Sequence, residues 1–295
     1  MKSNFWLFLI PALIWGSTWY VIKFQLGTVD PLVSVVYRYY AAGTIMMLFC
    51  LVRGVRMRFS KKEHFFMALQ GLFLFGVNYW MAYEAEVYIT SGLMAVAFST
   101  IVFMNSIFGK LFLNRPINRN VIIGALFGLS GTIMIFSREF MSFNFSNDVI
   151  IGTELGMLSV LLASFGNLTS ARNSQEGIPV IQANAFGMVY GAILMTILAL
   201  VLDRTFTFEV TSSYIISLGY LALFGSVVAF GTYLTLVSKI GADKAAYALV
   251  IIPVISLVIS AIFEGYQITW LAVFGMALII TGNVLALRRR KVEAL

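Results

Sequence analysis

The stretch SGLMAVAFSTIVFMNSIFGKLFLNRPINRNVIIGALFGLSGTIMI, residues 91–135, has a counterpart later in the chain. Residues 241–287 read GADKAAYALVIIPVISLVISAIFEGYQITWLAVFGMALIITGNVLAL. Both stretches begin with small residues, run through an apolar segment, pause at a polar break and continue into a second apolar segment. Glycines lie seven positions apart in each, at Gly124 and Gly131 and at Gly275 and Gly282. This recurrence predicts an internal repeat.

The composition is that of a membrane protein. Of the 295 residues, 60% are hydrophobic and 11% are charged, whereas a soluble domain has about 25% charged residues. Ten apolar segments, each near the ~20 residues that a membrane-spanning helix needs, are predicted at about 5–25, 32–52, 65–86, 91–113, 119–136, 150–171, 179–202, 213–237, 244–263 and 269–287. Continuous apolar runs exclude the alternating pattern of a transmembrane barrel. The sequence therefore predicts an all-α transmembrane bundle of ten helices.

Basic residues are concentrated in the loops of one side. If the N-terminus is cytoplasmic, sixteen of the twenty basic residues lie on the cytoplasmic side: Lys2, Arg53, Arg56, Arg58, Lys61, Lys62, Lys110, Arg115, Arg119, Arg172, Lys239, Lys244, Arg288, Arg289, Arg290 and Lys291. The positive-inside rule then predicts that both termini are cytoplasmic. The net charge of +7 follows from this topology, so we expect no nucleic-acid partner.

Further matches divide the chain near residue 145 into two halves, residues 1–144 and 145–295. Trp15-Gly16 in the first predicted helix matches Phe165-Gly166 in the sixth, and Phe75-Gly76 in the third matches Phe224-Gly225 in the eighth. Each half holds five predicted helices, and an odd number reverses the polarity of the second half. Inverted repeats of this kind are typical of secondary transporters, whose substrate site lies near the midplane.

The segments IWGSTWYVIK (residues 14–23) and VVYRYYAAG (residues 35–43), with the repeated small-residue starts, resemble the drug/metabolite transporter superfamily. The resemblance covers essentially the whole chain and points to the EamA-domain branch of bacterial inner-membrane exporters. It implies a multi-pass protein of the bacterial inner membrane that exports small organic solutes. The chain departs from the family pattern at Leu113-Asn114, where a Gly-Glu pair commonly closes the fourth helix.

Arg38 is the clearest candidate for function, because an ionisable residue inside a span costs about 2.5–3.5 kcal/mol on insertion scales. Glu84 and Glu86 end the third predicted helix on the same side as Arg38. Arg38 is interpreted as the cation that binds a carboxylate-bearing substrate, or as one partner of a gating ion pair. A static Arg–Glu pair between the second and third helices is the structural alternative.

Glu84 and Glu86 are also candidates for gating or proton coupling, although carboxylates at a helix end can simply be hydrated. Lys23 is expected to extend towards the interface, as lysines near helix ends do. Neither interpretation assigns substrate contact to these three residues.

Aromatic and amide side chains complete the predicted substrate site. The remaining substrate-binding candidates, after Arg38, are Trp15, Asn78, Tyr79, Tyr83, Asn167, Asn184 and Tyr247. Aromatic walls with a few amides suit a cavity for moderately apolar metabolites. The alternatives are an interfacial aromatic belt, above all for Tyr83, and amides that only join helices.

One histidine and one cysteine make no metal cluster, and the chain has no phosphate-binding Gly-rich loop. We therefore expect no cofactor and no enzymatic activity. The leading interpretation is a secondary transporter that exports small metabolites, above all amino acids or related amphipathic solutes, by alternating access. Uptake or exchange of a sugar phosphate, nucleotide sugar or choline-like cation is the alternative, and an intramembrane enzyme is disfavoured. Expected partners are the small-molecule substrate and membrane lipid, with the protein a monomer or weak homodimer.

Overall fold

The computed structural model describes residues 2–113, 119–141, 147–240 and 247–287. Throughout these ranges the regular structure is helical. The α-helices, numbered in chain order, are α1 (Lys2–Ile22), α2 (Pro31–Val52), α3 (Lys61–Gln70), α4 (Asn78–Tyr88), α5 (Ser91–Ser99), α6 (Ile101–Leu113), α7 (Arg119–Met141), α8 (Asn147–Gln175), α9 (Val180–Val201), α10 (Ser212–Tyr220), α11 (Ala229–Ile240), α12 (Tyr247–Val250), α13 (Ile252–Phe263) and α14 (Trp270–Leu287). Two π-helical segments, Gly71–Val77 and Leu221–Val228, join α3 to α4 and α10 to α11.

Seven continuous helical runs are long and apolar enough to cross a membrane, and three shorter apolar helices accompany them. The long runs cover 5–25, 31–52, 61–88, 91–112, 148–175, 180–201 and 212–233, and the shorter helices cover 119–135, 248–263 and 270–286. The prediction of an all-α, multi-pass membrane protein is therefore confirmed.

Local sequence signals begin several of these helices. The Asp30 carboxylate accepts a hydrogen bond of 2.8 Å from the Leu32 amide, and Pro31 occupies the first helical position of α2. Proline is favoured there because its missing N–H would lack a helical partner in any case. Ser60 and Glu63 form a reciprocal capping box at the start of α3.

Two of the membrane helices are interrupted within the apolar run. The break between α12 and α13 falls at Ile251, two residues before Pro253 in the first turn of α13, where proline is tolerated. The break between α5 and α6 falls at Thr100, which has no neighbouring proline. There the Thr100 hydroxyl donates to the Ala97 carbonyl oxygen at 2.7 Å, a local bond that competes with the helical ladder.

The repeated glycines lie where α7 packs against α14. A Cβ atom on Gly124 or Gly131 would collide with the backbone carbonyl oxygen of Gly282 or Gly275, respectively. Glycine is needed at these positions because the two backbones approach more closely than any side chain allows, as small-residue interfaces in membranes do.

The core around Arg38 is built on α2, which packs against α4 and against the π-helical segment Leu221–Val228, and α1 packs against the same segment. The Ser256 hydroxyl of α13 donates to the Gly16 carbonyl oxygen at 2.6 Å and fixes α1 beside α13. These contacts bring α1 and α2, from the start of the chain, against elements that follow residue 220.

Candidate functional site

Arg38 is buried on α2, with 1% of its surface exposed. Its guanidinium carbon lies 4.6 Å from the centre of the Tyr79 ring and 5.3 Å from that of Tyr39. Its Nη1 donates to the Tyr83 hydroxyl at 3.3 Å, and its Nε donates to the Ser226 hydroxyl at 3.4 Å. Four neutral side chains therefore surround the cation.

The ion pair considered for Arg38 is not formed. The ion pairs between described side chains involve Lys23, Arg172 and Arg204, and no carboxylate of Glu84 or Glu86 lies within 4.0 Å of the Arg38 guanidinium. Burial of a charge without an opposite charge is costly, and aromatic faces recover only part of that cost. Arg38 is thus a buried cation that forms no ion pair with a described carboxylate.

The π-helical segment Leu221–Val228 lies against this site. Its Gly225 carbonyl oxygen accepts a 3.0 Å hydrogen bond from the Trp15 indole, and the next residue is Ser226 beside Arg38. A Cβ on Gly225 would lie 3.4 Å from the Arg38 Nη2 atom, so the missing side chain leaves the guanidinium uncrowded. π-Helical turns occur frequently at functional sites, and this one joins α1 to α2.

A continuous set of aromatic rings, here called the aromatic row, runs from Arg38 towards α11. Successive ring centres are separated by 5.2 Å for Tyr79–Tyr39, 5.5 Å for Tyr39–Phe75, 6.0 Å for Phe75–Phe230, 5.1 Å for Phe230–Trp15 and 5.4 Å for Trp15–Tyr233. The pairs are tilted or edge-to-face, an arrangement that ring quadrupoles favour. The predicted residues Trp15, Tyr79 and Arg38 thus belong to one assembly.

Three other predicted residues lie on α4. Tyr83 is fully buried, so an interfacial belt does not account for it. Asn78 is also buried, and its side-chain oxygen has no hydrogen-bond partner among the described residues. Glu84 is partly exposed and accepts a 3.0 Å hydrogen bond from Trp80 one turn earlier.

Asn184 belongs to a separate group, here called the amide cluster, with Gln70 and Asn173. The Gln70 amide nitrogen donates to the Asn184 oxygen at 2.8 Å, and the Asn173 nitrogen donates to the Gln70 oxygen at 3.0 Å. Asn173 also donates to the Phe66 carbonyl oxygen at 3.2 Å. These bonds join α3, α8 and α9 and occupy both polar atoms of Gln70.

Asn167 lies in a third group. It donates to the Asn105 side-chain oxygen at 3.4 Å, which also accepts from the Ser164 hydroxyl at 2.8 Å. The backbone of Tyr247 begins α12, and its side chain lies outside the described residues. The predicted site residues are therefore divided among separate groups, of which the one around Arg38 is the largest.

Lys23, which is expected to extend towards the interface, contacts the end of α4 and Glu264. Its ammonium donates to the backbone carbonyl oxygens of Glu86 and Ile89, the latter at 2.7 Å, and lies 3.8 Å from a Glu264 carboxylate oxygen. The carbonyl oxygens at the end of α4 lack helical partners and attract the cation. Lys23 thus joins α4 to the residue that follows α13.

Sequence reasoning missed Ser226, Tyr39 and Phe230. Tyr39 directly follows Arg38 in the chain, and Ser226 directly follows the Phe224-Gly225 pair that matches Phe75-Gly76. The sequence signal that could have found Ser226 is therefore the match between Phe224-Gly225 and Phe75-Gly76. A π-helical turn changes which residues share a face, and so a regular helical projection does not place Ser226 beside Arg38.

Comparison with known proteins agrees with this architecture. The model of the EamA-like transporter family matches residues 2–137 and 150–288. The chain belongs to the EamA-like transporter family.

Relatives of this chain are known from several bacteria. The Escherichia coli K12 protein YedA, described as an uncharacterized inner membrane transporter, is 28% identical over 92% of this chain and 89% of its own length. The Bacillus subtilis transporter YoaV, also described as uncharacterized, is 25% identical over 95% of this chain and 96% of its own length. A solved crystal structure with 17% identity superposes with a TM-score of 0.70 over 97% of this chain and 96% of that one, which shows a shared fold.

Proposed function

We propose that this membrane transporter exports small amphipathic metabolites that carry a carboxylate, with amino acids or related solutes as the leading class. The buried, unpaired charge of Arg38 carries the proposal. A guanidinium binds a carboxylate through two parallel hydrogen bonds, and such a substrate would supply the missing negative charge. The aromatic row offers the substrate's apolar part a surface beside that charge.

We further propose that residues 1–144 and 145–295 form inverted repeats that rock against each other in alternating access. The two π-helical segments lie at matching positions in the halves, as do the helix breaks at Thr100 and Ile251. Matching packing adds support, because α1 contacts α13 as α8 contacts α6. The substrate site then lies between the halves, since Arg38 and Ser226 come from different ones.

The proposed orientation has both termini in the cytoplasm of a bacterial cell, with the protein in its inner membrane. The concentration of basic residues in one set of loops supports this orientation. Fusions of a cytoplasm-active reporter to residue 295 and a periplasm-active reporter to residue 205 should both be active. Activity of only the reversed fusions would exclude this topology.

Alternative substrates fit this site less well. A sugar phosphate or nucleotide sugar is expected to need several embedded cations, whereas Arg38 is the only fully buried Arg or Lys among the described residues. A choline-like cation would meet the like charge of Arg38. Uptake or exchange remains the alternative direction, and the proposed state is a monomer or weak homodimer without enzymatic activity.

The test is counterflow in liposomes. Purified protein is assayed against a panel of amino acids, their amines and small neutral solutes, with protein-free liposomes as the background. Saturable counterflow of carboxylate-bearing solutes is expected, and Arg38→Ala should abolish it. The matched control is Arg204→Ala, which removes an exposed arginine from its ion pair with Asp30. Equal loss in both variants, or saturable flux of solutes without a carboxylate, would contradict the proposal.

Direction is tested separately, because counterflow is the same for import and export. Cells that contain the protein should accumulate less of the identified solute than cells with Arg38→Ala, and the solute should appear faster in the medium. Greater accumulation in cells with the wild-type protein would assign uptake instead.

A further inference from the structure

Glu86 is a buried carboxyl group at the end of α4. None of its surface is exposed, and neither carboxyl oxygen has a hydrogen-bond partner among the described residues. Its own backbone carbonyl oxygen, by contrast, accepts a hydrogen bond from Lys23. A carboxylate that is buried without a partner is costly, while a protonated carboxyl group is not charged.

Glu264 lies in the same region and is well satisfied. Its carboxylate accepts from the Ser91 amide at 3.1 Å and from the Ser91 hydroxyl, and it lies 3.8 Å from the Lys23 ammonium. Ser91 begins α5, so the carboxylate also lies at a helix N-terminus, which favours negative charge. These contacts, here called the Lys23–Glu264 lock, join the first part of the chain to the residue that follows α13.

The charged groups whose fields reach Glu86 are Lys23, Glu264 and Arg38. Tyr83, on the preceding turn of α4, is a further titratable group close to Glu86. Helix α8 packs against α4, and its acidic residues at this end, Asp148 and Glu154, are exposed. The Lys23 ammonium thus interacts with two carboxyl groups and, among the described residues, forms an ion pair only with Glu264.

We propose that Glu86 binds a proton that controls the Lys23–Glu264 lock, and so couples proton binding to the conformational change of the transporter. In the closed arrangement the Glu86 carboxyl holds the proton, and Lys23 stays with Glu264. When the proton leaves to solvent, the Glu86 carboxylate attracts Lys23 away from Glu264. The lock then weakens, and α13 separates from α5 at this end. The proposal deepens the proposed transport function and rests on it, since coupling needs a transport cycle.

Accessibility of Ser260 reports the state of the lock without any substrate. Ser260 is fully buried on α13, its hydroxyl has no partner among the described residues, and its Cβ faces Gly92 of α5. Ser260→Cys changes a single atom at this interface. Its labelling by a polar maleimide is measured in detergent over a range of pH in a Cys50→Ser background, so that the introduced thiol is the only one.

Thiol reactivity itself rises with pH, and the same measurement in the Glu86→Gln background corrects for it. Ionisation of Glu86 should raise labelling beyond this reference by up to about tenfold per pH unit, the rate at which the ionised fraction of a mostly protonated acid grows. Glu86→Gln should give slow labelling with only the thiol's own pH dependence. Glu84→Gln, two residues away, should behave like the parent, because Glu84 bonds within its own helix.

A second variant guards against a folding defect. Glu264→Gln weakens the lock from the other side and should give fast labelling at every pH, with Glu86 unchanged. Identical pH profiles in the parent and Glu86→Gln, or slow labelling in Glu264→Gln, would overturn the proposal. If Glu86→Gln does not fold, Glu86→Asp provides the comparison, with a shifted profile expected and an unshifted one contradictory. Since no substrate is present, failure here leaves the counterflow test of transport independent.

Discussion

The Arg38 site and the amide cluster are both buried polar assemblies between helices, but their hydrogen bonding differs. Gln70 uses its amide nitrogen and its oxygen on two partners from other helices. Arg38 has long hydrogen bonds to two hydroxyls and lies against two rings, and it forms no ion pair with a described carboxylate. Hydrogen-bonded polar groups stabilise a fold, whereas a buried charge without an ion pair is available to bind a ligand of opposite charge. This contrast separates the structural candidates from the functional ones.

The largest expected effect comes from Arg38→Met, which replaces the cation with an apolar side chain of similar length. Apparent substrate affinity should fall roughly ten- to a hundredfold, because a hydrogen-bonded ionic contact is worth about 1.5–3 kcal/mol. Thermal stability should be retained or increased, since an unpaired buried charge is removed. Counterflow and a thermal-shift assay check both parts, and loss of stability together with retained affinity would make Arg38 structural.

Tyr79→Leu should have the next largest effect. It removes the ring 4.6 Å from the guanidinium carbon, and a desolvated cation–π contact is worth about 2 kcal/mol. We expect about a tenfold loss of affinity from the misplaced guanidinium. Tyr79→Phe keeps the ring face and is the matched control, with affinity near that of the wild type. An equal loss in both variants would assign the effect to the hydroxyl instead.

The amide cluster should respond in the opposite way. Gln70→Leu removes the donor to the Asn184 oxygen and one of the two acceptors of the Asn173 nitrogen, and we expect a loss of about 1–2 kcal/mol of stability. Apparent substrate affinity should not change, because the cluster is separate from Arg38. Unfolding in denaturant and counterflow kinetics measure the two quantities. A large change in affinity with unchanged stability would place Asn184 in the substrate site, as the sequence predicts.

The smallest effect is expected from Trp15→Phe, which keeps a ring in the aromatic row and deletes the bond to the Gly225 carbonyl oxygen. A neutral hydrogen bond is worth about 0.5–1.5 kcal/mol, so affinity should fall only a few-fold. Trp6→Phe, at an exposed position of the same helix, serves as the control in the same assay. A tenfold effect shared by both variants would point to α1 as a whole.

The sequence alone is sufficient to predict the fold class and to single out Arg38. Apolar runs of span length and charged residues confined to loops predict the helical membrane architecture. A helix satisfies all of its backbone hydrogen bonds internally, as the hydrocarbon core requires. Arg38 follows from the same rule, as a charge that violates it. Repeated glycine spacing predicts close helix packing, which α7 and α14 show.

The division of the candidate residues was not predictable from the sequence. Asn184 and Asn78 are both buried amides, and only their distant neighbours decide which of them is satisfied. Lys23 and Glu264 are 241 positions apart, and no local pattern connects them. The π-helical turns likewise depend on tertiary packing. The second of them places Ser226 beside Arg38.

The central claim is that Arg38 binds the carboxylate of the substrate. Its most direct test is a cycle in which wild type and Arg38→Met each compete a transported acid against its carboxamide in counterflow. The account predicts that the wild type discriminates between the two ligands by about 1.5–3 kcal/mol and that the variant treats them alike. Equal discrimination by both proteins would show that another group reads the carboxylate and would contradict the account.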